Sequence, residues 1–311
     1  MHRRVGKYLT MASLARQTHL STAIFAMICV VGTLALVPVA LSASQETQQP
    51  DGAAAEHRQA SIREALSKLG PHPWAGEYYR GDGLGENISM SLAPDAGVSV
   101  IWTGCLGLYG ANQGSIVERD GVLALQYEAP NRKGSGGFPD TLRSVHWGER
   151  RYLIPDDKRI DFVNDINLGR EPRTRPYGRV LLARGDEVKQ APGFPDLPEH
   201  FRNLIRATPL QVGVRVAQRG EYKQVGEGLC LSSYQLTLDH GLHDGLVEGV
   251  ELRVVSPNKS VENVVIRKAS DTQSEAQWEH WDIDCKADGP VPDRSWRLTT
   301  GAYAPKPRKV S

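Results

Sequence analysis

The sequence predicts a mainly β protein of the α+β class, in which two small antiparallel β-barrel-like domains are accompanied by a few short helices. Short runs of alternating apolar and polar residues recur along the chain, and 31 glycines and 19 prolines among 311 residues separate them. Alternation with a period of two is the pattern of a strand with one buried face, and glycine and proline favour the turns between strands. Three prolines within residues 190–198 divide the strands into two groups.

The N-terminal segment has the composition of an export signal. Residues 17–45 contain no Asp, Glu, Lys or Arg, and four basic residues precede them. A basic start, an apolar run and small residues at a cleavage point are typical of a signal peptide. A run of about 20 apolar residues also suffices for a membrane-spanning helix. We therefore assign residues 1–44 to a signal peptide or an N-terminal membrane anchor.

Both alternatives predict that the body of the protein is exported. Pro38 and the small residues Ala40 and Ser42 favour cleavage, which would give a periplasmic or secreted protein. An uncleaved segment would tether the body to the inner membrane. The positive charges flank only the N-terminal side of the apolar run, so the body faces outward in either case. Contact with a membrane is expected only through this segment, if it is not cleaved.

A linker and a helix are predicted next. Residues 45–60 begin with small and polar residues that show no periodicity, which is typical of a flexible linker. Ser61 and Glu64 match a capping box at a helix start, and Gly70 matches a helix end. The same helix opens the predicted N-terminal β-rich domain, residues 61–190.

Two hairpins dominate the pattern of this first domain. The turn at residues 94–97 joins two alternating runs, and Arg119-Asp120-Gly121 joins two more. Pro155-Asp156-Asp157 predicts the start of a second helix, which ends at Gly169. The predicted strands and their alternating residues are Ile88–Leu92, Val98–Trp102, Ile116–Val117, Val122–Tyr127, Leu142–Trp147, Arg151–Ile154 and Arg179–Ala183.

The second predicted domain, residues 198–304, is a small β-barrel-like unit. A short helix over Pro198–Arg206 precedes a new series of alternating runs. These runs are Leu210–Val216, Leu229–Leu231, Tyr234–Leu238, Leu252–Val254, Val264–Ile266 and Trp296–Leu298. Residues 305–311 form a short basic tail.

The body that follows residue 44 is nearly neutral. Residues 1–44 include four of the 37 basic side chains and no acidic one, so 33 basic and 36 acidic side chains remain. A nucleic-acid-binding protein would show a basic patch or stripe, and none is visible, so no nucleic-acid partner is expected.

Three cysteines outside the N-terminal segment allow one disulfide in an oxidising compartment. Cys230 and Cys285 both lie in the second half of the chain, and we predict that they are the pair. Cys105 is then expected to be a buried small hydrophobe, which is the commoner fate of an unbridged cysteine.

The aromatic residues Trp74, Tyr78, Tyr79 and Trp102 are the predicted ligand-binding group, because they cluster in sequence around a glycine-rich loop, residues 81–85. The run Trp74-Ala75-Gly76-Glu77-Tyr78-Tyr79 resembles the first strand of lipocalin-like and other small up-and-down barrels. The resemblance implies that Trp74 closes one end of a barrel and that the barrel mouth accommodates a small ligand. The alternative role for Trp74 is that of an ordinary core aromatic.

Two further motifs offer chemistry without completing a catalytic constellation. Cys105, between glycines, is a possible nucleophile, but a base such as His146 would have to reach it. His240 and His243 are weak candidates for a metal site, since their spacing falls in a glycine-rich turn where polar residues are expected for structural reasons. No motif implies a cofactor, and no catalytic residue is assigned.

Three stretches, WAGEYYRGDGLGEN, WGERRYLIP and GLHDGLVEGVELRV, resemble exported β-rich bacterial envelope proteins of unknown function. In the third stretch, glycines allow tight turns before a strand that begins with Leu252 and Val254. The resemblance implies an envelope location and small barrels, without catalytic residues. The expected function is non-enzymatic binding of an unknown small ligand or envelope protein. The alternative is a hydrolase that uses Cys105 or a metal site at His240 and His243.

Overall fold

The computed structural model describes residues 52–81, 83, 85–131, 137–176, 178–257, 262–286 and 289–301. The predicted signal or anchor, the first part of the predicted linker and the basic tail lie outside these ranges. None of the helices within them combines the length and the apolar character needed to cross a bilayer. The described residues form one compact unit that contains both groups of strands.

The first helix, α1, is longer than predicted and runs from Gly52 to Lys68. The assignment of residues 52–60 to a linker and the predicted helix start at Ser61 are therefore wrong. Three consecutive alanines, residues 53–55, have the highest helix propensity, which the polar composition of this stretch concealed. Ser61 lies inside the helix and donates a hydrogen bond from its hydroxyl to the carbonyl of His57 (3.3 Å).

The first eight strands form a closed antiparallel barrel in which neighbours in sequence are neighbours in space. The barrel closes where β8 pairs with β1, with Ala183 opposite Tyr78. This order confirms the predicted barrel-like domain and both predicted hairpins. The strands are β1 (Gly76–Arg80), β2 (Asn87–Ala93), β3 (Gly97–Gly104), β4 (Gly107–Arg119), β5 (Val122–Tyr127), β6 (Thr141–Trp147), β7 (Arg150–Pro155) and β8 (Leu181–Ala183).

Apolar side chains fill the interior of this barrel. Tyr78, Met90 and Leu92 are completely buried there, together with Val98 and Val100 from the next strand. Helix α1 packs on the outside of β2 and β3, where the Ser99 hydroxyl donates a hydrogen bond to the carbonyl of Ala55 (2.7 Å). The predicted alternation therefore separates an inner face from an outer one, as expected for strands with two covered sides.

The remaining six strands form a second closed barrel, in the order β10-β13-β12-β11-β14-β9. Trp278, on β13, lies at the centre of its core, and Trp296 packs against it with ring centroids 5.0 Å apart. Strand β13 was not predicted. Its inner face carries only two apolar residues, Ala276 and Trp278, and most of the other residues are charged or polar. The strands are β9 (Gln211–Gly226), β10 (Leu229–Leu238), β11 (Glu251–Ser256), β12 (Asn263–Ala269), β13 (Ser274–Ile283) and β14 (Arg297–Thr299).

Helix α2 (Arg159–Asn167) joins the two barrels. Phe162, Val163 and Ile166 pack against the outer face of β6, β7 and β8, whereas Ile160 packs against the core of the second barrel. The predicted helix is present, but α2 begins after a 3-10 turn at Asp156–Lys158 and ends two residues before the predicted end at Gly169. A shorter helix, α3 (Glu199–Arg202), covers only part of the predicted span Pro198–Arg206.

The side chain of Asn164, on α2, holds strand β11 through its amide. The Nδ2 group donates to the carbonyl of Gly249 (2.8 Å), and Oδ1 accepts from the backbone N–H of Glu251 (3.1 Å). Asn164 is buried. Its amide therefore provides hydrogen-bond partners for two backbone groups of the second barrel that would otherwise lack them where α2 meets that barrel.

A buried ionic network surrounds this junction. The carboxylate of Asp165, on α2, is completely buried, and its Oδ1 lies 2.7 Å from Arg170 and 2.9 Å from Arg175. Both arginines also bind Glu251 of the second barrel, Arg170 at 2.7 Å. Asn263 donates to Glu251 as well (2.8 Å). Two guanidinium groups thus neutralise one carboxylate from the joining helix and one from the second barrel.

Burial raises the pKa of Asp165 to about 6, although Arg175 and Arg170 both act to lower it. The folded protein therefore binds a proton at Asp165 more tightly than the unfolded chain does. The contribution of Asp165 to the free energy of unfolding is therefore largest at low pH, and it decreases as the pH rises from about 4 to about 6.

We predict that replacement of Asp165 by Asn removes this pH dependence. Relative to the Asp165→Asn variant, the native protein should lose about 2–3 kcal/mol of unfolding free energy as the pH rises from about 4 to about 7, since one pKa unit corresponds to about 1.4 kcal/mol. Urea unfolding at a series of pH values measures the difference. Parallel pH profiles for the two proteins would show that the carboxyl of Asp165 does not titrate in this window.

Candidate functional site

The predicted aromatic group is divided between the interior and the surface of the first barrel. Trp74 and Tyr78 are buried in its core. The indole Nε1 of Trp74 donates to Glu118 (2.7 Å), and the hydroxyl of Tyr78 donates to the carbonyl of Trp74 (2.9 Å). Burial raises the pKa of Tyr78 to about 12. Both polar groups are thus occupied within the protein.

Tyr79 and Trp102 lie elsewhere on this barrel. The ring of Tyr79 is on the outer face, between the guanidinium groups of Arg173 (4.8 Å) and Arg184 (5.3 Å). Trp102 is half-buried near the turn between β3 and β4, edge-to-face with Tyr109 at 5.6 Å. The structure does not bring the four aromatics onto one surface, and ligand binding by them stays a prediction.

The residues considered for chemistry are also dispersed. Cys105 is exposed on the turn between β3 and β4, so its predicted burial is wrong: the two-residue turn projects away from the packed interior. His240 contacts Asp239 through Nδ1 (2.6 Å), and His243 is exposed. Among the described residues, no group of three or more His, Cys, Asp or Glu side chains could hold a metal ion.

The second barrel presents a different kind of surface, because three of its strands extend beyond the others. Strands β9, β10 and β13 pair with one another along Leu229–Leu238 of β10. In the described part of the chain, β14 pairs with β9 only at residues 211–213, and β12 pairs with β13 only as far as Trp278. The far ends of β9, β10 and β13 therefore form a three-stranded extension.

One side of this extension is an open strand edge. Residues 216–226 of β9, here called the β9 edge, have β10 on one side and no described strand on the other. Every side chain from Gln218 to Val225 is exposed. Two register shifts with β10, one at Ser232–Tyr234 and one at Leu229–Cys230, twist the edge. The backbone N–H and C=O groups on its open side are available to another strand.

The outer face next to the β9 edge contains a shallow polar groove of about 410 Å³. Gln218, Gln235 and Gln277 form a row across β9, β10 and β13, since each pairs with the next in the register. Arg267 and Glu279 fix the amide of Gln277 at 2.8 Å each. The amides of Gln218 and Gln235 have no side-chain partner within the described ranges. They can therefore donate to and accept from a ligand.

An apolar patch lies on the same outer face, towards the end of the extension. Trp281 is 44% exposed and Ile283 is 72% exposed. Leu231 lies opposite Trp281 in the register, and Leu229 lies opposite Ile283. An aromatic ring beside aliphatic side chains at the surface is typical of a protein-binding surface.

The inner side of the extension is tied together covalently and by polar contacts. Cys230 of β10 and Cys285, which follows β13, form a disulfide with Cα atoms 5.1 Å apart, as predicted. Next to it, the buried Asp282 accepts a hydrogen bond from Ser232 (3.1 Å). His280 contacts Glu262 through Nδ1 (3.0 Å) and stacks on Trp278. These contacts hold β10 and β13 in register beyond Trp278, where β12 no longer pairs with β13 in the described part of the chain.

The arrangement is suited to recognition of an extended polypeptide. An added strand would bond to the backbone of the β9 edge, and its outward side chains would lie beside the glutamine row. The four predicted aromatics are not part of this surface. Sequence reasoning missed this surface because the apolar alternation ends at Val216, and the mostly polar residues 217–226 that continue the strand have no periodic pattern.

Comparison of the chain with protein-family models, with curated proteins and with solved structures finds no match.

We predict that the disulfide stabilises the extension and with it the second barrel. The Cys230→Ser, Cys285→Ser variant should lose about 2–4 kcal/mol of unfolding free energy, because the bond closes a long loop, with its cysteines 55 positions apart in the sequence. Denaturant unfolding under non-reducing conditions measures the loss. Cys105→Ser is the matched control, since its exposed side chain should change the value by less than about 0.5 kcal/mol. An equal effect of the two variants would contradict the prediction.

Proposed function

We propose that this chain is an exported, non-enzymatic envelope protein that binds a partner protein, with the β9 edge as the binding site. An extended segment of the partner adds to the edge as a further strand. The observation that carries the proposal is the length of the edge: residues 218–225 are all exposed, and no described strand pairs with residues 216–226 on the side away from β10. An edge of this kind is a ready template for another strand.

Specificity would come from the side chains beside the edge. The outward side chains of an added strand lie beside Gln218 of β9, and Gln235 is one strand further in. Their amides offer hydrogen bonds to polar side chains of the partner, while Trp281 and Ile283 offer apolar contact at the end of the extension. Backbone pairing supplies affinity and the alternate side chains supply selectivity in this mode of binding.

The extension is also rigid enough to be a binding surface. It emerges from a closed barrel, and the Cys230–Cys285 disulfide joins two of its three strands at the far end. A preorganised strand edge loses little conformational entropy when a partner binds.

Two features support export. The N-terminal residues 17–45 have the uncharged, apolar character of a signal or anchor, after a basic start. The disulfide fits an oxidising compartment, where such bonds form and persist.

We predict that a partner can be captured from the β9 edge by photo-cross-linking. Benzoylphenylalanine placed at Arg219 or at Lys223, both exposed on the edge, should give one adduct of discrete mass in cells that express the protein naturally. The same amino acid at Glu187, which is exposed after β8 of the first barrel, should give none. Mass spectrometry of the adduct identifies the cross-linked peptide, which should come from an extended segment.

A pair of isosteric variants tests the groove. Gln218→Glu with Gln235→Glu places two negative charges side by side and should reduce the adduct yield several-fold, whereas Gln190→Glu, at an exposed position outside the extension, should not. The adduct should persist in a Cys105→Ala, His243→Ala variant, because neither residue belongs to the edge. Absence of an adduct from both edge positions, with the protein folded and normally abundant, would overturn the proposal.

A further inference from the structure

The hairpin formed by β3 and β4 ends in an exposed apolar tip, far from the β9 edge in the sequence. Leu106 is 89% exposed, Leu108 is 41% exposed and Tyr109 is 37% exposed. The tip is ordered by its own contacts, because the hydroxyl of Tyr109 accepts a hydrogen bond from the backbone N–H of Leu106 (3.4 Å). A cluster of exposed apolar side chains of this kind is typical of a surface that binds a membrane or another molecule.

The hairpin formed by β3 and β4 lacks charged residues as far as Val117. From Gly97 to Val117 there is no Asp, Glu, Lys or Arg, and the nearest charged residues are Asp95 and Glu118. An ordinary exposed hairpin would carry charged side chains on its solvent face, as the extension of the second barrel does. Absence of charge lowers the cost of moving the tip into a medium of low dielectric constant.

Tyr109, which is 37% exposed at the tip, is suited to a membrane–water interface. It stacks edge-to-face on Trp102 of the adjacent strand, which packs against the barrel core behind the exposed leucines. Trp and Tyr are enriched at the level of the lipid headgroups, where an apolar ring and a polar group are both accommodated.

The chain also enters the described structure beside this tip. Gly52, at the start of α1, is so close to Leu108 that an added Cβ would lie 2.8 Å from Cδ2 of that leucine. Residues 42–51 separate Gly52 from Leu41, the last residue of the apolar run. Eleven residues of extended chain reach at most about 40 Å. If the apolar run lies in a bilayer, the bilayer surface is therefore within that distance of the tip.

We propose that the β3–β4 tip inserts into the interfacial region of a lipid bilayer, with Leu106 and Leu108 in contact with lipid. This second contact would fix the orientation of the body on the membrane, which a flexible connection alone would leave free. The inference concerns the first barrel and is independent of strand addition at the β9 edge.

Depth-dependent fluorescence quenching tests the inference on the full chain. In a Cys29→Ser background, the exposed Cys105 is labelled with an environment-sensitive fluorophore, and the protein is reconstituted into vesicles of phosphatidylethanolamine and phosphatidylglycerol that contain a nitroxide-labelled lipid. The expected result is a blue shift of the emission and strong quenching. The matched control carries the label at Arg119→Cys with Cys105→Ser, at the other end of β4, roughly 40 Å along the strand.

A second variant separates insertion from mere proximity. Leu106→Ser with Leu108→Ser keeps the fluorophore at the same position and should reduce the quenching to the level of the Arg119 control. Circular dichroism verifies that the variant is folded. Equal quenching at positions 105 and 119, no quenching at 105, or full quenching in the folded serine variant would each overturn the inference.

Discussion

The structure depends on one buried ionic network, because it is the point at which two independently closed barrels become one body. Asp165 of α2 and Glu251 of β11 are both removed from water, and each would be strongly destabilising without its arginine partners. Arg170 and Arg175 bind both carboxylates, so neither barrel can move without leaving a charge uncompensated. The network contributes specificity of packing more than net stability, since desolvation offsets much of the attraction.

Closure has a consequence for where binding can occur. Side chains fill the interior of the first barrel, where Tyr78, Met90 and Leu92 are completely buried. The two proposed binding surfaces lie where the barrels depart from regularity: the long strands β9, β10 and β13, and the projecting β3–β4 hairpin. One is polar with an open backbone edge, the other apolar with satisfied backbone groups.

Sequence patterns predicted elements better than contacts between elements. The hairpins at residues 94–97 and 119–121 followed from alternation and turn chemistry, and both are correct because those signals act within a few residues. The start of α1 was wrong, since an alanine-rich helix before Ser61 has no apolar stripe to reveal it. The predicted aromatic group is divided by strand alternation: Trp74, Tyr78 and Trp102 belong to the core of the first barrel, whereas Tyr79 lies on its outer face.

By itself, the sequence determined the class of fold, the number of strand groups and the disulfide, because alternation, turn residues and cysteine count are local or countable properties. The tertiary structure alone decided that β8 pairs with β1, that β9 extends beyond its pairing with β14, and that Asp165 is buried beside two arginines. These outcomes depend on which distant segments meet, and a pattern with a period of two specifies the face of a strand without specifying its neighbour.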